Sequence, residues 1–302
     1  MPSNIRLKLI RTGLPYAASF LSHYGETYRI ENFAGNLEQV KTSYAQGRVE
    51  QKAASSQQFD AIVDALILPN GVTKTTYAKR LGRSLASVLA DIQLPKSEIT
   101  VLDLPASTGI ASLANLELLQ KQYRVHSYVL GDLYHRILYD PQRRCVFDEQ
   151  GNLLQVAFKK YFFSLHRPKK FGAEYTALTA CLLFPHSLIG AWLRKRYQFN
   201  TDGNYRVLFV IHPEAERLLN QGICRLAQMD VFQPISGSYD LILSFNLLQE
   251  SYFPRETIEA GISNLAASLN EGGLLIMGNT ESFLALQKKG GSLIPRLREG
   301  SF

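Results

Sequence analysis

Three carboxylates in this chain stand where short apolar runs stop: Asp103 in ITVLDL, Asp132 in SYVLGDLY and Asp230 in RLAQMDVF. Their setting suits recognition of a nucleoside. A carboxylate only accepts hydrogen bonds, and it can do so with both oxygens, so Asp132 can take both hydroxyls of a ribose. Asp230 can accept from an exocyclic amine while the Val231 N–H donates to a ring nitrogen, a pair that reads adenine. Asp103 can accept from an ammonium group or an ordered water. Asp132 also has a plainer reading, as a helix N-cap or a solvated loop residue.

After Asp103 comes the turn Pro105, Ala106, Ser107, Thr108, Gly109. A phosphate loop needs G-x-x-x-x-G-K-[ST], and a dinucleotide turn needs G-x-G-x-x-G. This turn has Gly109 alone and no lysine. Without those glycines the backbone N–H groups cannot close around a pyrophosphate. The small residues Ala106, Ser107 and Gly109 still let a ligand without phosphates approach the backbone. The same residues make an ordinary tight strand-to-helix turn, and the stretch alone leaves that choice open.

The elements that would hold these residues follow from periodicity. ITVLDL is a β-branched, apolar run of the kind found in buried parallel strands. A helix, IASLANLELLQKQ, and a second strand, VHSYVLGDLY, follow it. Strand, helix, strand in that order predicts an α/β fold with a doubly wound, mostly parallel sheet. The order is then broken. RRCVFDEQGNLLQVAFKKYFF predicts a β-hairpin turning at Gln150, Gly151 and Asn152. A helix follows through EYTALTACLLFPHSLIGAWLRKRY, with a kink expected at Pro185. YRVLFVIHP reads as the point where the sheet resumes. EAERLLNQ, ICRLAQMDVF, YDLILSFN, RETIEAGISNLAASL and LLIMGN then alternate helix and strand, leaving a short tail. Residues 1–95 read as a mainly helical cap, with Ser56 or Asp60 as candidate openers of a second helix. Residues 96–302 read as the core, with an insert at about 141–204.

Composition narrows the class. The chain has 302 residues, 46% of them hydrophobic and 20% charged, enough for a packed core. Its net charge of +7 suits anionic partners and many ordinary enzymes alike. The three cysteines, Cys145, Cys181 and Cys224, form no CxxC pair, so neither a zinc site nor a disulfide framework is expected. No metal is expected, and reducing cytoplasm is the expected location. The N-terminus makes a poor signal peptide, because Gly13 and Pro15 break its apolar run. No apolar run reaches the roughly 18 residues of a membrane span.

Taken in chain order, these stretches resemble the class I S-adenosylmethionine-dependent methyltransferases, over about Thr100 to Phe283 without the insert. Asp103, Pro105, Ser107 and Gly109 fall on the family's acid-x-Gly-x-Gly-x-Gly turn, with Pro105 and Ser107 replacing glycines. The resemblance implies a Rossmann-like fold and S-adenosylmethionine as cofactor, with S-adenosylhomocysteine as product. It implies a cofactor site of Asp103, Pro105, Ala106, Ser107, Thr108, Gly109, Asp132, Leu133, Met229, Asp230, Val231, Asn246 and Leu247. LNEGGLLIMG is similar to the family's helix end, Gly-Gly turn and fifth strand. ASTG, SFNLLQESYF and GNTESF are also distantly similar to the chemotaxis-receptor glutamate methyltransferases, although Ile110 and Ala111 stand where that group has acids and Phe245 where it has Arg. One alternative stays open: RVLFVIHPEAERLLNQ can be read as the second strand and its helix, which would put His212 or Glu214 at the ribose.

Methyl transfer to a small-molecule or metabolite acceptor is the activity that the resemblance implies. Methyl transfer from a sulfonium needs alignment and exclusion of water more than a dedicated base. Candidates to face the acceptor are Asn246, Glu250 and Tyr252 after the fourth core strand, with His135 after Asp132. NLLQ is not the Asn-Pro-Pro-aromatic motif of amide or exocyclic-amine methyltransferases. FKKYFFSLHRPKKFG and the helix ending in Trp192 and RKRY mix basic and aromatic residues. That mixture suits a buried cap with a solvated basic end, a membrane surface with a lipid-linked acceptor, or single-stranded nucleic acid. Nucleic acid is the least favoured of the three. A non-catalytic binding protein that keeps the fold is a further alternative. Nothing in the sequence indicates the oligomeric state.

Overall fold

The computed structural model describes residues 16–17, 33–64, 66, 68–69, 74, 82–158, 161–166, 177–250, 252–279 and 282–300. The chain divides into two compact units, Met1–Thr75 with Arg136–Pro213, and Thr76–His135 with Glu214–Phe302. The boundaries therefore fall at 75, 135 and 213, where the sequence suggested 95, 140 and 204.

The second unit carries the parallel sheet. Its strands are β2 (Glu98–Asp103), β3 (Arg124–Asp132), β9 (Cys224–Gln228), β10 (Tyr239–Phe245), β11 (Leu269–Gly278), β12 (Phe283–Lys289) and β13 (Ser292–Glu299). They lie in the order β13-β12-β11-β10-β2-β3-β9. Neighbours from β11 to β9 are parallel, whereas β12 and β13 run antiparallel to their neighbours. This is a Rossmann-like α/β sheet. The expected short tail is in fact this closing pair of antiparallel strands, turning at Gly290 and Gly291, both at positive φ.

Alternation along each strand feeds two cores. Val101, Tyr128, Leu241, Leu243 and Ile276 face one side with Leu85, Val88 and Leu89 of α3 (Gly82–Asp91) and Leu116 and Leu119 of α4 (Ile110–Leu119). Leu102, Val129, Ile242, Leu275 and Met277 face the other side with Leu265 of α7 (Arg255–Ala267). Every residue of β10 is buried, as a central parallel strand covered on both faces requires. The NEGG stretch lies inside β11 rather than ahead of it. Its Gly272 has φ +79, and a Cβ at Gly273 would lie 2.9 Å from the backbone oxygens of Asn270 and Asp240.

The first unit is built on an antiparallel sheet, β1-β7-β6-β5-β4-β8. Its strands are β1 (Tyr16–Ala17), β4 (Arg136–Asp140), β5 (Cys145–Phe147), β6 (Leu153–Phe158), β7 (Tyr161–Ser164) and β8 (Arg206–Phe209). Strands β5 and β6 form the expected hairpin, with Gly151 at φ +81. Asp148 holds the turn by accepting from the N–H groups of Gln150 and Asn152. The unit's helices are α1 (Phe33–Gln46), α2 (Val49–Asp64) and α5 (Ala177–Arg196). Two expectations are corrected here. Ser56 and Asp60 lie inside α2, which opens at Val49. YRVLFVIHP does not resume the parallel sheet, because β8 pairs antiparallel with β4. Lys159, Lys160 and residues 167–172 of the basic-aromatic stretch lie outside the described residues.

Candidate functional site

The chain order of the parallel sheet reverses at β2, with β3 and β9 on one side and β10 and β11 on the other. Open α/β sheets bind ligands at the carboxyl ends of strands flanking such a reversal. Asp103 ends β2, Asp132 ends β3, and Asn246 follows β10. The sheet order bears on which segment is the second strand of this sheet. The neighbour of β2 is β3, so the acid at its carboxyl end is Asp132. His212 belongs to the first unit, where its Nε2 lies 2.8 Å from the Ser56 hydroxyl and Tyr44 and Phe59 meet its ring edge-on. Glu214 is paired on its own helix, α6 (Pro213–Asn220), with Arg217.

The turn from Pro105 to Gly109 is held by backbone donors. Leu104 N–H donates to Leu243 O at 2.9 Å and Ala106 N–H to Gly131 O at 2.8 Å, so the turn is tied to strands on both sides of β2. Ser107 adopts φ +54 and Gly109 φ +80. Ser107 thus takes up the left-handed backbone that favours glycine, at a position where the resembled family has one. At Gly109 a Cβ would come 2.9 Å from the Cβ of Ala215, so the glycine is required by both conformation and space. Thr108 and Ser112 are buried; the Thr108 hydroxyl has no hydrogen-bond partner, and Ser112 lies beside the Asp103 carboxyl.

Asp132 ties the turn to the second strand. Its Oδ2 accepts from the Ser107 N–H and its Oδ1 from the Tyr134 N–H, both at 2.8 Å. A carboxylate oxygen can accept more than one hydrogen bond. Leu133 and Tyr134 are half-buried beside it, and His135 is buried. The Met229 N–H donates to Asp132 O at 3.0 Å, which brings the segment after β9 alongside. There Asp230 Oδ1 accepts from the Phe232 N–H at 3.0 Å, and Val231 is buried with its carbonyl taken by Asn264.

Asp103 is only 3% exposed and faces inward. It accepts from the Tyr128 hydroxyl at 3.0 Å and from the Asn115 amide at 3.5 Å. Burial pushes its carboxyl up to about 6, against the opposing hydrogen bonds. Tyr128 is pushed well above its ordinary value by the same burial and by the neighbouring carboxylate. Sequence reasoning missed Asn115 and Tyr128 as partners of Asp103. The available signal was a lone asparagine in the apolar helix IASLANLELL.

Beyond β10, Asn246 sits at φ +58, its N–H donating to Gly278 O at 2.7 Å and its Oδ1 accepting from Gln249 at 3.4 Å. Leu247 is half-buried, Tyr252 is half-buried against Phe253, and Glu250 is exposed. Ser244, buried at the end of β10, has an unpartnered hydroxyl. Among the described residues no group of three or more His, Cys, Asp or Glu side chains is placed to hold a metal ion.

Sheet order and site place the chain in the Rossmann-like α/β class. No family model and no curated protein matches the chain. Among solved structures it is similar to an O-methyltransferase family protein from Burkholderia thailandensis, at 12% identity and TM-score 0.33, covering 91% of this chain and 64% of that one. It is similar to an S-adenosylmethionine-dependent methyltransferase from Clostridium acetobutylicum, at 12% identity and TM-score 0.32, covering 75% and 76%. A third is the N-methyltransferase NodS from Bradyrhizobium japonicum, solved with S-adenosylhomocysteine, at 12% identity and TM-score 0.28, covering 65% and 58%. The chain spans 42% of the matched StiE O-methyltransferase chain and 39% of TehB from Haemophilus influenzae.

Proposed function

We propose that this chain is an S-adenosylmethionine-dependent methyltransferase acting on a small-molecule acceptor. The observation that carries the proposal is the alignment of the β2–α4 turn with Asp132. A left-handed Ser107 and Gly109 form a turn of small residues at the sheet reversal, and Asp132 is locked beside it by two backbone donors. The residues fit the cofactor. Asp132 is a carboxylate at the end of the second strand, the acceptor-only type that suits ribose hydroxyls, Asp230 and Val231 stand after the third strand in this sheet, and the buried hydroxyls of Thr108 and Ser244 are unsatisfied. A buried hydroxyl without a partner costs free energy that a bound polar group can recover.

When bound, the sulfonium supplies an activated methyl. The chain's own work is to orient donor and acceptor and to keep water out. Asn246, Glu250, Tyr252 and His135 are the candidates to face the acceptor. None of them is required as a base unless the acceptor must lose a proton. We assign acceptor specificity to the insert at about 141–204. Isothermal titration calorimetry tests the proposal: S-adenosylmethionine and S-adenosylhomocysteine should both give binding heat, and folded protein giving none with either rejects it.

A further inference from the structure

The carboxyl-terminal half of α5 has two faces of different character. Gly190 and Leu193 are buried and Tyr197 is half-buried, at helical spacing; Leu193 and Tyr197 pack on Cys145, Phe147, Leu153, Val156, Phe163 and Leu165. The opposite stripe is Leu188, Ile189, Trp192, Lys195 and Arg196. Leu188 and Trp192 are each 57% exposed and Ile189 is 39% exposed. One turn further on, the helix ends in Arg194, Lys195 and Arg196, all exposed. The Arg196 guanidinium lies 5.4 Å from the Trp192 ring centroid. The sequence Ala177–Arg196 contains no acidic residue.

We infer that this face of α5 docks on an anionic lipid surface. Three large apolar side chains on one stripe are costly in water and need a cover. The cover must also accept the cations of Lys195 and Arg196 on this stripe, with Arg194 beside it, and carry no matching positive charge. A bilayer interface with anionic headgroups does both, since aliphatic side chains enter the acyl boundary, Trp sits at headgroup depth and Lys and Arg meet phosphates. The inner face is committed to the core of its own unit, so α5 lies on the surface with one side only. Among the described residues no helix is long and apolar enough to cross a membrane. The inference stands apart from the cofactor reading and neither supports nor needs it.

Trp192 is the only tryptophan in the chain, so its emission reports on this face alone. The full chain should be titrated with vesicles of phosphatidylglycerol mixed with phosphatidylcholine, and with phosphatidylcholine alone. The expected result is a blue shift of emission and quenching by brominated acyl chains with the anionic vesicles only. The triple change R194E/K195E/R196E should lower vesicle partitioning by about tenfold or more, because each basic residue near an anionic surface contributes severalfold. Its circular dichroism should match the parent. If that variant fails to fold, Leu188→Ser read by flotation replaces it, with loss of flotation expected. Absence of vesicle binding overturns the inference. So does binding without an emission shift, which places the contact elsewhere, or binding that survives the charge reversal. Emission already blue-shifted without vesicles in a chromatographic dimer overturns it too, by making a second copy the occupant.

Discussion

The Ser107 N–H donates to Asp132 Oδ2 at 2.8 Å, across a sequence separation of 25 residues. One carboxylate thereby fixes the turn after β2 and the end of β3 together. Replacing Asp132 with Ala strands the N–H groups of Ser107 and Tyr134. A hydrogen bond to a charged group is worth about 1.5–3 kcal/mol, so Asp132→Ala should lower unfolding free energy by roughly 2–4 kcal/mol. It should also weaken S-adenosylmethionine binding about tenfold or more. Urea unfolding and calorimetry on the folded fraction measure the two effects separately. Unchanged affinity would reject Asp132 as a cofactor contact while leaving its structural part intact.

Asp103 makes stability depend on pH. Its folded carboxyl titrates at about 6, raised by burial from 3.8. Below pH 4 both states are protonated and the group is neutral to stability. From pH 4 to 6 the unfolded chain ionises first, so the folded chain holds more protons and stability falls as pH rises. Above pH 6 the penalty is constant, at about 3 kcal/mol. Asp103→Asn should remove that slope and raise stability above pH 6. The new amide can accept from Tyr128 and donate to Asn115 Oδ1, which has no partner. Urea midpoints from pH 4 to 8 check this; an unchanged slope would assign the dependence to other groups.

Gly109 faces two constraints, φ +80 and a 2.9 Å approach to Ala215 Cβ. Gly109→Ala should cost about 2–3 kcal/mol, about 1 from the left-handed backbone and the remainder from overpacking. Adding Ala215→Gly should recover only the overpacking part. A double-mutant cycle on thermal or urea unfolding gives the coupling, and strict additivity would show that the approach is relieved by backbone shift.

His212 is buried in the first unit against Ser56, Tyr44 and Phe59. His212→Ala should destabilise by roughly 2–4 kcal/mol through the cavity and the lost hydrogen bond. It should leave S-adenosylmethionine affinity within about twofold. A loss of affinity equal to that of Asp132→Ala would instead favour His212 as the ribose contact.

Local chemistry in the sequence already determined much of this molecule. The run YDLILSF, bounded by turn residues, reads as a strand covered on both faces, and it is buried throughout and central in the sheet. The Gly151 hairpin and the Gly109 turn follow from backbone freedom at single residues, and Asp103 and Asp132 mark the carboxyl ends of two parallel strands. Tertiary structure decided what depends on pairing. RVLF at 206–209 has the composition of a core strand, and only its register with β4 shows that it serves the other sheet. The same holds for β12 and β13, whose mixed sequence becomes strand by hydrogen bonding to β11 and to each other. Asp103, a candidate ligand contact in the sequence, is turned inward to Tyr128 and Asn115. A side chain's partner lies on another element, and no local preference carries that information. Ser107 in place of glycine is settled the same way, because the carboxylate that holds its left-handed backbone arrives from the end of the neighbouring strand.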